Sequence, residues 1–72
     1  MPLVQISIAV GRSREQKDEL ARQLTRAVCD SLAAPVESVR VILTEVAEED
    51  WFAGGVSLKE RRRPKTVHTG QT

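Results

Sequence analysis

The sequence is poor in the residues that carry most small-protein chemistry. Among 72 residues it has no tyrosine, one tryptophan, one phenylalanine, one histidine and one cysteine. Cys29 alone cannot close an internal disulfide, and with a distant His68 it offers no metal-ligand spacing, so disulfide staples and a metal centre are not expected. No apolar run approaches the ~20 residues of a membrane span, and no basic segment followed by an apolar one opens the chain. A membrane partner is therefore not expected, and a cytoplasmic location is. The net charge is only +1, yet five of the eleven basic residues crowd into Lys59 to Lys65 (KERRRPK). That stretch lacks interleaved aromatics for base stacking, and no nucleic-acid-binding motif accompanies it. A solvated tail without nucleic-acid contact is the expectation for it.

What the sequence has is periodicity. Pro2 to Val10 alternates, with Val4, Ile6, Ile8 and Val10 on one face and Leu3, Gln5, Ser7 and Ala9 on the other, which predicts a strand. Ser13-Arg14-Glu15-Gln16 then matches a capping box, in which the Ser hydroxyl and the Gln side chain satisfy free N–H groups of a first helical turn. Leu20, Leu24, Ala27, Val28, Ser31 and Leu32 recur at three- and four-residue steps, leaving Lys17, Asp18, Arg22 and Arg26 largely off the apolar stripe. The helix should end near Ala33, because Pro35 disfavours helical geometry in Ala34.

A second β-rich run at Ser38 to Val46 completes a βαβ unit with parallel strands, Val39, Val41 and Leu43 facing the helix. The fold class is α/β (α+β). One helix covers one face of two strands, so the face carrying Leu3, Ala9 and Ile42 needs another cover. A second copy of the chain is the simplest. At this size a single chain buries only about 60% of the surface its unfolded form exposes, which points the same way. Gly54-Gly55, between short apolar runs, suits a small hairpin. From Arg61 onward the composition predicts disorder.

Several residues could carry chemistry. Once the initiator methionine is removed, Pro2 begins the chain with a secondary amine. A model α-amino group has a pKa of about 7.7 to 8.0, and an apolar pocket or nearby cations favour the neutral, basic form. Such an amine is a general base, although proline at this position often has no role. Arg12 sits where strand meets helix, a place that already favours anions. Its guanidinium can fork onto a carboxylate. Arg40 interrupts VRVIL on the face away from the helix. It is solvated in a lone chain and needs an anionic partner in an oligomer. Trp51 either packs in a core or walls a pocket that excludes water from the amine. Glu45, Glu48, Glu49 and Asp50 form an acidic cluster that reads as a solvated turn.

The PLVQI start, the GRSREQK turn, APVESVRVILTEV and WFAGG together resemble the 4-oxalocrotonate tautomerase family, from Pro2 to about Gly55. The resemblance implies a short tautomerase-like βαβ domain, set at residues 1–60, and the basic tail over 61–72 lies outside it. It also implies a homo-oligomer, a hexamer built as a trimer of dimers, with active sites shared between chains and no cofactor. By the same resemblance, Pro2 moves a proton between the 2-hydroxyl and C-5 of a dienol dicarboxylate, and Arg40 engages the 2-oxygen and C-1 carboxylate. Arg12 holds the distal C-6 carboxylate, and Trp51 lines the apolar pocket. Ala9 stands where relatives often carry a larger aliphatic group, and Phe52-Ala53 replaces a common Gly-Ile pair, so the pocket wall is reshaped.

Besides membership of a hetero-oligomer, against which Pro2, Arg12 and Arg40 together in one chain speak, two other readings compete. One is hydration or dehalogenation of a 3-haloacrylate, which requires a pocket carboxylate to activate water. The other is a non-enzymatic oligomeric module that binds through its basic tail. A further geometric consequence concerns the tautomerase reading: nine strand residues at ~3.3 Å each separate Pro2 from Arg12 by roughly 30 Å. Those two groups of one chain cannot grip one small dicarboxylate together, so they must meet across subunits.

Overall fold

The computed structural model describes residues 1–62. Strand β1 (Leu3–Ala9) leads into helix α1 (Arg14–Leu32), then a 3-10 turn at Val36–Ser38 and strand β2 (Arg40–Val46). A second 3-10 turn at Glu48–Asp50 is followed by the short strands β3 (Phe52–Ala53) and β4 (Val56–Ser57) and helix α2 (Leu58–Arg62). β1 and β2 pair in parallel from Leu3↔Arg40 to Ala9↔Val46. β3 and β4 pair antiparallel as a separate hairpin.

The expected βαβ unit and hairpin are therefore both present, with shorter strands than the periodicity suggested. Val10 falls outside β1 and is 46% exposed. It still donates its N–H to Val46 O at 3.1 Å, so the ladder outlasts the strand by one bond. Pro35 caps the 3-10 turn at Val36–Ser38, where Ser38 donates its backbone N–H and its hydroxyl to Pro35 O. That local bonding takes Ser38 out of the second strand.

The capping box forms as expected: Gln16 N–H donates to Ser13 Oγ at 3.1 Å and Ser13 N–H to Gln16 Oε1 at 3.0 Å. At the other end Ala33 stops the helix with φ 55°, the left-handed geometry usually left to glycine. α1 lies against the sheet with Leu20, Ala21, Leu24, Thr25 and Val28 half-buried. The stripe is rotated from the expected one, since Ala27, Ser31 and Leu32 are exposed and Lys17 is half-buried. Lys17 can lie inward because its ammonium reaches Glu45 Oε2 at 3.1 Å, beyond the apolar body of the face.

The Val4/Val41 and Ile6/Leu43 pairs and Ile8 form the apolar inner face, and Glu45, paired with Ile8, closes its far end through Lys17. No side chain among the described residues is fully buried. The outer face carries Leu3, Gln5, Ser7 and Ala9 beside Arg40, Ile42 and Thr44, with Leu3 53% and Ile42 48% exposed. The hairpin turns on Gly54 and Gly55, whose φ values of 62° and 82° suit a two-residue turn with both central residues left-handed.

Arg61 and Arg62 belong to α2 rather than to a disordered tail. Arg61 donates to Ala53 O at 3.1 Å and Arg62 pairs with Glu48 at 2.6 Å. The rest of the stretch expected to be disordered, residues 63–72 with His68, lies outside the described residues.

The two ends of α1 should respond with opposite sign. Ser13→Ala should lower stability by about 1 kcal/mol by removing the cap. Ala33→Gly should raise it by about 0.5 to 1 kcal/mol, because strain at positive φ outweighs the entropy of the added glycine. Chemical denaturation at one fixed protein concentration measures both.

Candidate active site

The sequence-predicted residues fall into two groups at opposite ends of the β1–β2 ladder. At one end Pro2 is half-buried just ahead of β1, and its carbonyl accepts the N–H of Arg40 at 3.0 Å. The register then places Arg40 opposite Leu3 on the outer face, as expected. Arg40 donates from NH1 to Glu37 O at 2.7 Å, on the 3-10 turn before β2. One nitrogen is thereby tethered to backbone, and no carboxylate among the described residues pairs with the guanidinium. An arginine positioned by a neutral acceptor keeps its full charge for an incoming anion.

At the other end Gly11 turns the chain out of the strand, and Arg12 follows immediately before the N-cap Ser13. Arg12 is exposed and makes no hydrogen bond or ion pair with any described residue. Four other cations are paired, Arg14 with Asp18, Lys17 with Glu45, Arg22 with Glu19 and Arg62 with Glu48, while Arg26 and Arg61, like Arg12, have no carboxylate partner among the described residues. Glu19 shows what such pairing does, since hydrogen bonds from Gln23 and Arg22 hold its carboxyl below the usual range. Arg12 has no counterpart of this kind, and it sits beside the positive end of α1.

Trp51 reaches the same region from the second half of the chain. Its backbone is held on both sides, donating to Glu48 O at 3.4 Å and accepting from Leu58 N–H at 2.6 Å. The indole is 36% exposed, and Phe52 beside it is 60% exposed. Neither aromatic packs in a core. Trp51 instead lines a surface depression of about 460 Å³ together with Ala9, Arg12, Glu48 and Arg62. A smaller depression of about 240 Å³ lies on the helix side of Arg12, walled by Ile8, Gln16, Lys17 and Leu20. Arg12 lines both, but in the smaller one it stands beside Lys17, already committed to Glu45, whereas in the larger one it faces an aromatic wall.

Glu48 and Arg62 were not foreseen in this place. The acidic cluster is not one solvated turn: Glu45 lies in β2 against Lys17, and Glu48 is half-buried against Arg62. The available signal was the Gly-Gly turn, which folds the chain after the hairpin back onto the segment before it.

One chain does not bring the two groups together. β1 has seven residues and spans about 20 Å, too far for one six-carbon diacid to bridge.

The chain is thus a short parallel βαβ unit with one bare sheet face, Pro2 at one end of the ladder and Arg12, unpaired among the described residues, at the other. Residues 2–61 match the family model of the tautomerase enzymes, so the chain belongs to that family. A 2-hydroxymuconate tautomerase of Pseudomonas putida is 48% identical over 63 residues, 88% of this chain and 100% of the relative. A 2-hydroxymuconate tautomerase of Stutzerimonas stutzeri is 49% identical over 59 residues, 82% of this chain and 94% of the relative. Among solved structures, TomN, a 4-oxalocrotonate tautomerase homologue in the tomaymycin biosynthetic pathway, superposes with a TM-score of 0.86 at 42% identity, covering 90% of this chain and 100% of that one. A heterohexamer 4-oxalocrotonate tautomerase from Chloroflexus aurantiacus gives 0.82 at 44% identity over 86% and 100% of the two chains. The expected family is thus shown, and the protein is a tautomerase, an isomerase of the 4-oxalocrotonate tautomerase group.

Trp51 is the sole tryptophan and shares a depression with Arg12, so it should report anion binding there. Titration with an unreactive diacid such as adipate should shift tryptophan emission in a saturable way. In Arg12→Ala the affinity should fall about tenfold or more, the scale of a lost charge-assisted hydrogen bond.

Proposed function

We propose that the protein interconverts a 2-hydroxymuconate-like dienol dicarboxylate and its 2-oxo enedioate, with the amine of Pro2 as the proton carrier. The observation that carries this reading is the placement of two guanidinium groups without a carboxylate partner among the described residues, Arg12 beside Trp51 at one end of the ladder and Arg40, bonded through its backbone to Pro2, at the other. A diacid offers one carboxylate to each kind of end. The names of the curated relatives support the same substrate class.

Met1 is 85% exposed and blocks the Pro2 nitrogen as an amide while it remains. Its removal leaves a secondary amine, held half-buried at the head of β1. The neutral amine takes the proton of the 2-hydroxyl, the C2–O bond becomes a carbonyl, and the double bonds shift from C2–C3 and C4–C5 to C3–C4. The proline ammonium then returns its proton to C-5, so the base is regenerated. Arg40 stabilises the oxyanion character that develops at the 2-oxygen, and Arg12 fixes the far carboxylate. The proton and electron ledger closes on these groups.

The site is completed by other copies of the chain. No described side chain is fully buried, and the outer sheet face exposes Leu3 and Ile42. Covering that face in a hexamer, a trimer of dimers, supplies the missing core and brings Pro2 of one copy near Arg12 of another. A cytoplasmic location fits this reading. Hydration of a 3-haloacrylate is disfavoured, because the one carboxylate lining the Arg12 depression, Glu48, is already bound to Arg62 rather than free to activate water.

Intact mass of the active protein should show loss of one methionine residue. Pro2→Ala on protein of the same verified N-terminus should lower ketonisation about 10² to 10⁴-fold. Arg40→Gln should act mainly on kcat, by about 10² to 10³-fold, and Arg12→Ala mainly on KM. Full activity in Pro2→Ala, or release of halide from 3-chloroacrylate in place of ketonisation, would refute the proposal. The melting temperature should also rise with protein concentration, since assembly supplies the core.

A further inference from the structure

The Arg12 depression contains two charges that the reaction does not require. Glu48 Oε2 and Arg62 NH1 lie 2.6 Å apart, with side chains 26% and 58% exposed, and both residues line the depression with Arg12 and Trp51. Glu48 opens the 3-10 turn whose last carbonyl-to-amide bond ends on Trp51, so carboxylate and indole ride on one turn. Arg62 arrives from the end of α2. A pair this open contributes little to stability. Its charges nevertheless line the same depression as Arg12, where a bound carboxylate would be a further charge, and salt screens such charges only over about 8 Å at physiological ionic strength.

We propose that Glu48 and Arg62 set the charge that the distal carboxylate of the substrate meets, and so determine how strongly the enzyme prefers dicarboxylates over monoacids. Arg12 and Arg62 together carry two positive charges, and Glu48 cancels one. Among the described residues the wall therefore presents one net positive charge, the complement of one carboxylate. Removing the charge of Glu48 leaves two, and removing that of Arg62 leaves none. The two partners of a single ion pair thus act in opposite directions on the same substrate. Glu48 restrains the preference for a diacid and shields the site from over-tight anion binding. Arg62 occupies Glu48 and keeps its carboxylate from repelling the substrate.

This inference rests on the assignment of Arg12 to the distal carboxylate, and its test separates the two. Glu48→Gln, Arg62→Gln and the double variant are compared with the unaltered enzyme on 2-hydroxymuconate and on a monoacid enol such as phenylenolpyruvate. The ratio of KM for the diacid to KM for the monoacid should fall about fivefold in Glu48→Gln and rise about fivefold in Arg62→Gln, the scale of one charge acting across a partly wetted site. The double variant should return close to the starting ratio, and Arg62→Lys should restore most of it. Adipate affinity read from Trp51 emission should move in the same order and converge at high salt.

A latch that only positions Trp51 would weaken both single variants in the same direction, and that result would overturn the inference. Equal effects on diacid and monoacid would do so as well. If these outcomes appear while Pro2→Ala still abolishes ketonisation, the reaction stands and the charge device alone is wrong. If Arg12→Ala leaves adipate affinity unchanged, the assignment of the distal site itself fails.

Discussion

The rest of the structure depends on the parallel pairing of β1 with β2. A parallel pair cannot be joined by a tight turn, so the chain between them must cross over, and α1 is that crossover. A single crossover helix covers a single face. The other face, with Leu3, Arg40 and Ile42, stays open. The same register that leaves it open places Arg40 at the Pro2 end and Ala9 at the Arg12 end. A slip of one residue in β2 would carry Arg40 to the helix side and Val41 to the bare face, exchanging a cation for an apolar residue there. Register and site are therefore one property of the ladder.

The features legible in the sequence were those governed by neighbours within about four residues. Alternation at Leu3 to Ala9, the Ser13–Gln16 box and the Gly54-Gly55 turn each express a local rule, and each stands in the structure. Contacts across the fold were harder to read. The apolar stripe of α1 was placed one step too far round because periodicity identifies a stripe but not the arc that meets the sheet. Lys17 illustrates why: its aliphatic stem passes for core, and the partner that permits this, Glu45, is 28 residues away. Glu48 and Arg62 are 14 apart and meet only because the hairpin reverses the chain between them. Val10 and Ser38 were counted as strand on composition, and backbone bonding at the strand ends decided otherwise.

Three arginines are paired with carboxylates. Arg14 and Arg22 are absorbed by carboxylates on their own helix, and Arg62 by Glu48 across the hairpin. Arg12 and Arg40 are held by backbone geometry alone, Arg12 through its place before a helix N-cap and Arg40 through the strand register and Glu37 O. Arg26 on α1 and Arg61 on α2 also lack a carboxylate partner among the described residues, but Arg12 and Arg40 are the ones at opposite ends of a strand too long for one small molecule to span.

That separation ties assembly to catalysis. Within one chain, lengthening or shortening β1 changes how far Pro2 stands from Arg12 but never brings them to one substrate, because both lie at ends of the same extended segment. Only a neighbouring copy, laid with its own ladder against the bare face, can set a foreign Arg12 near Pro2. The apolar residues that call for a cover, Leu3 and Ile42, lie on the same face as Arg40. In the proposed assembly, burial of that face and completion of the site would be the same event, and the free energy that drives one would also fix the geometry of the other.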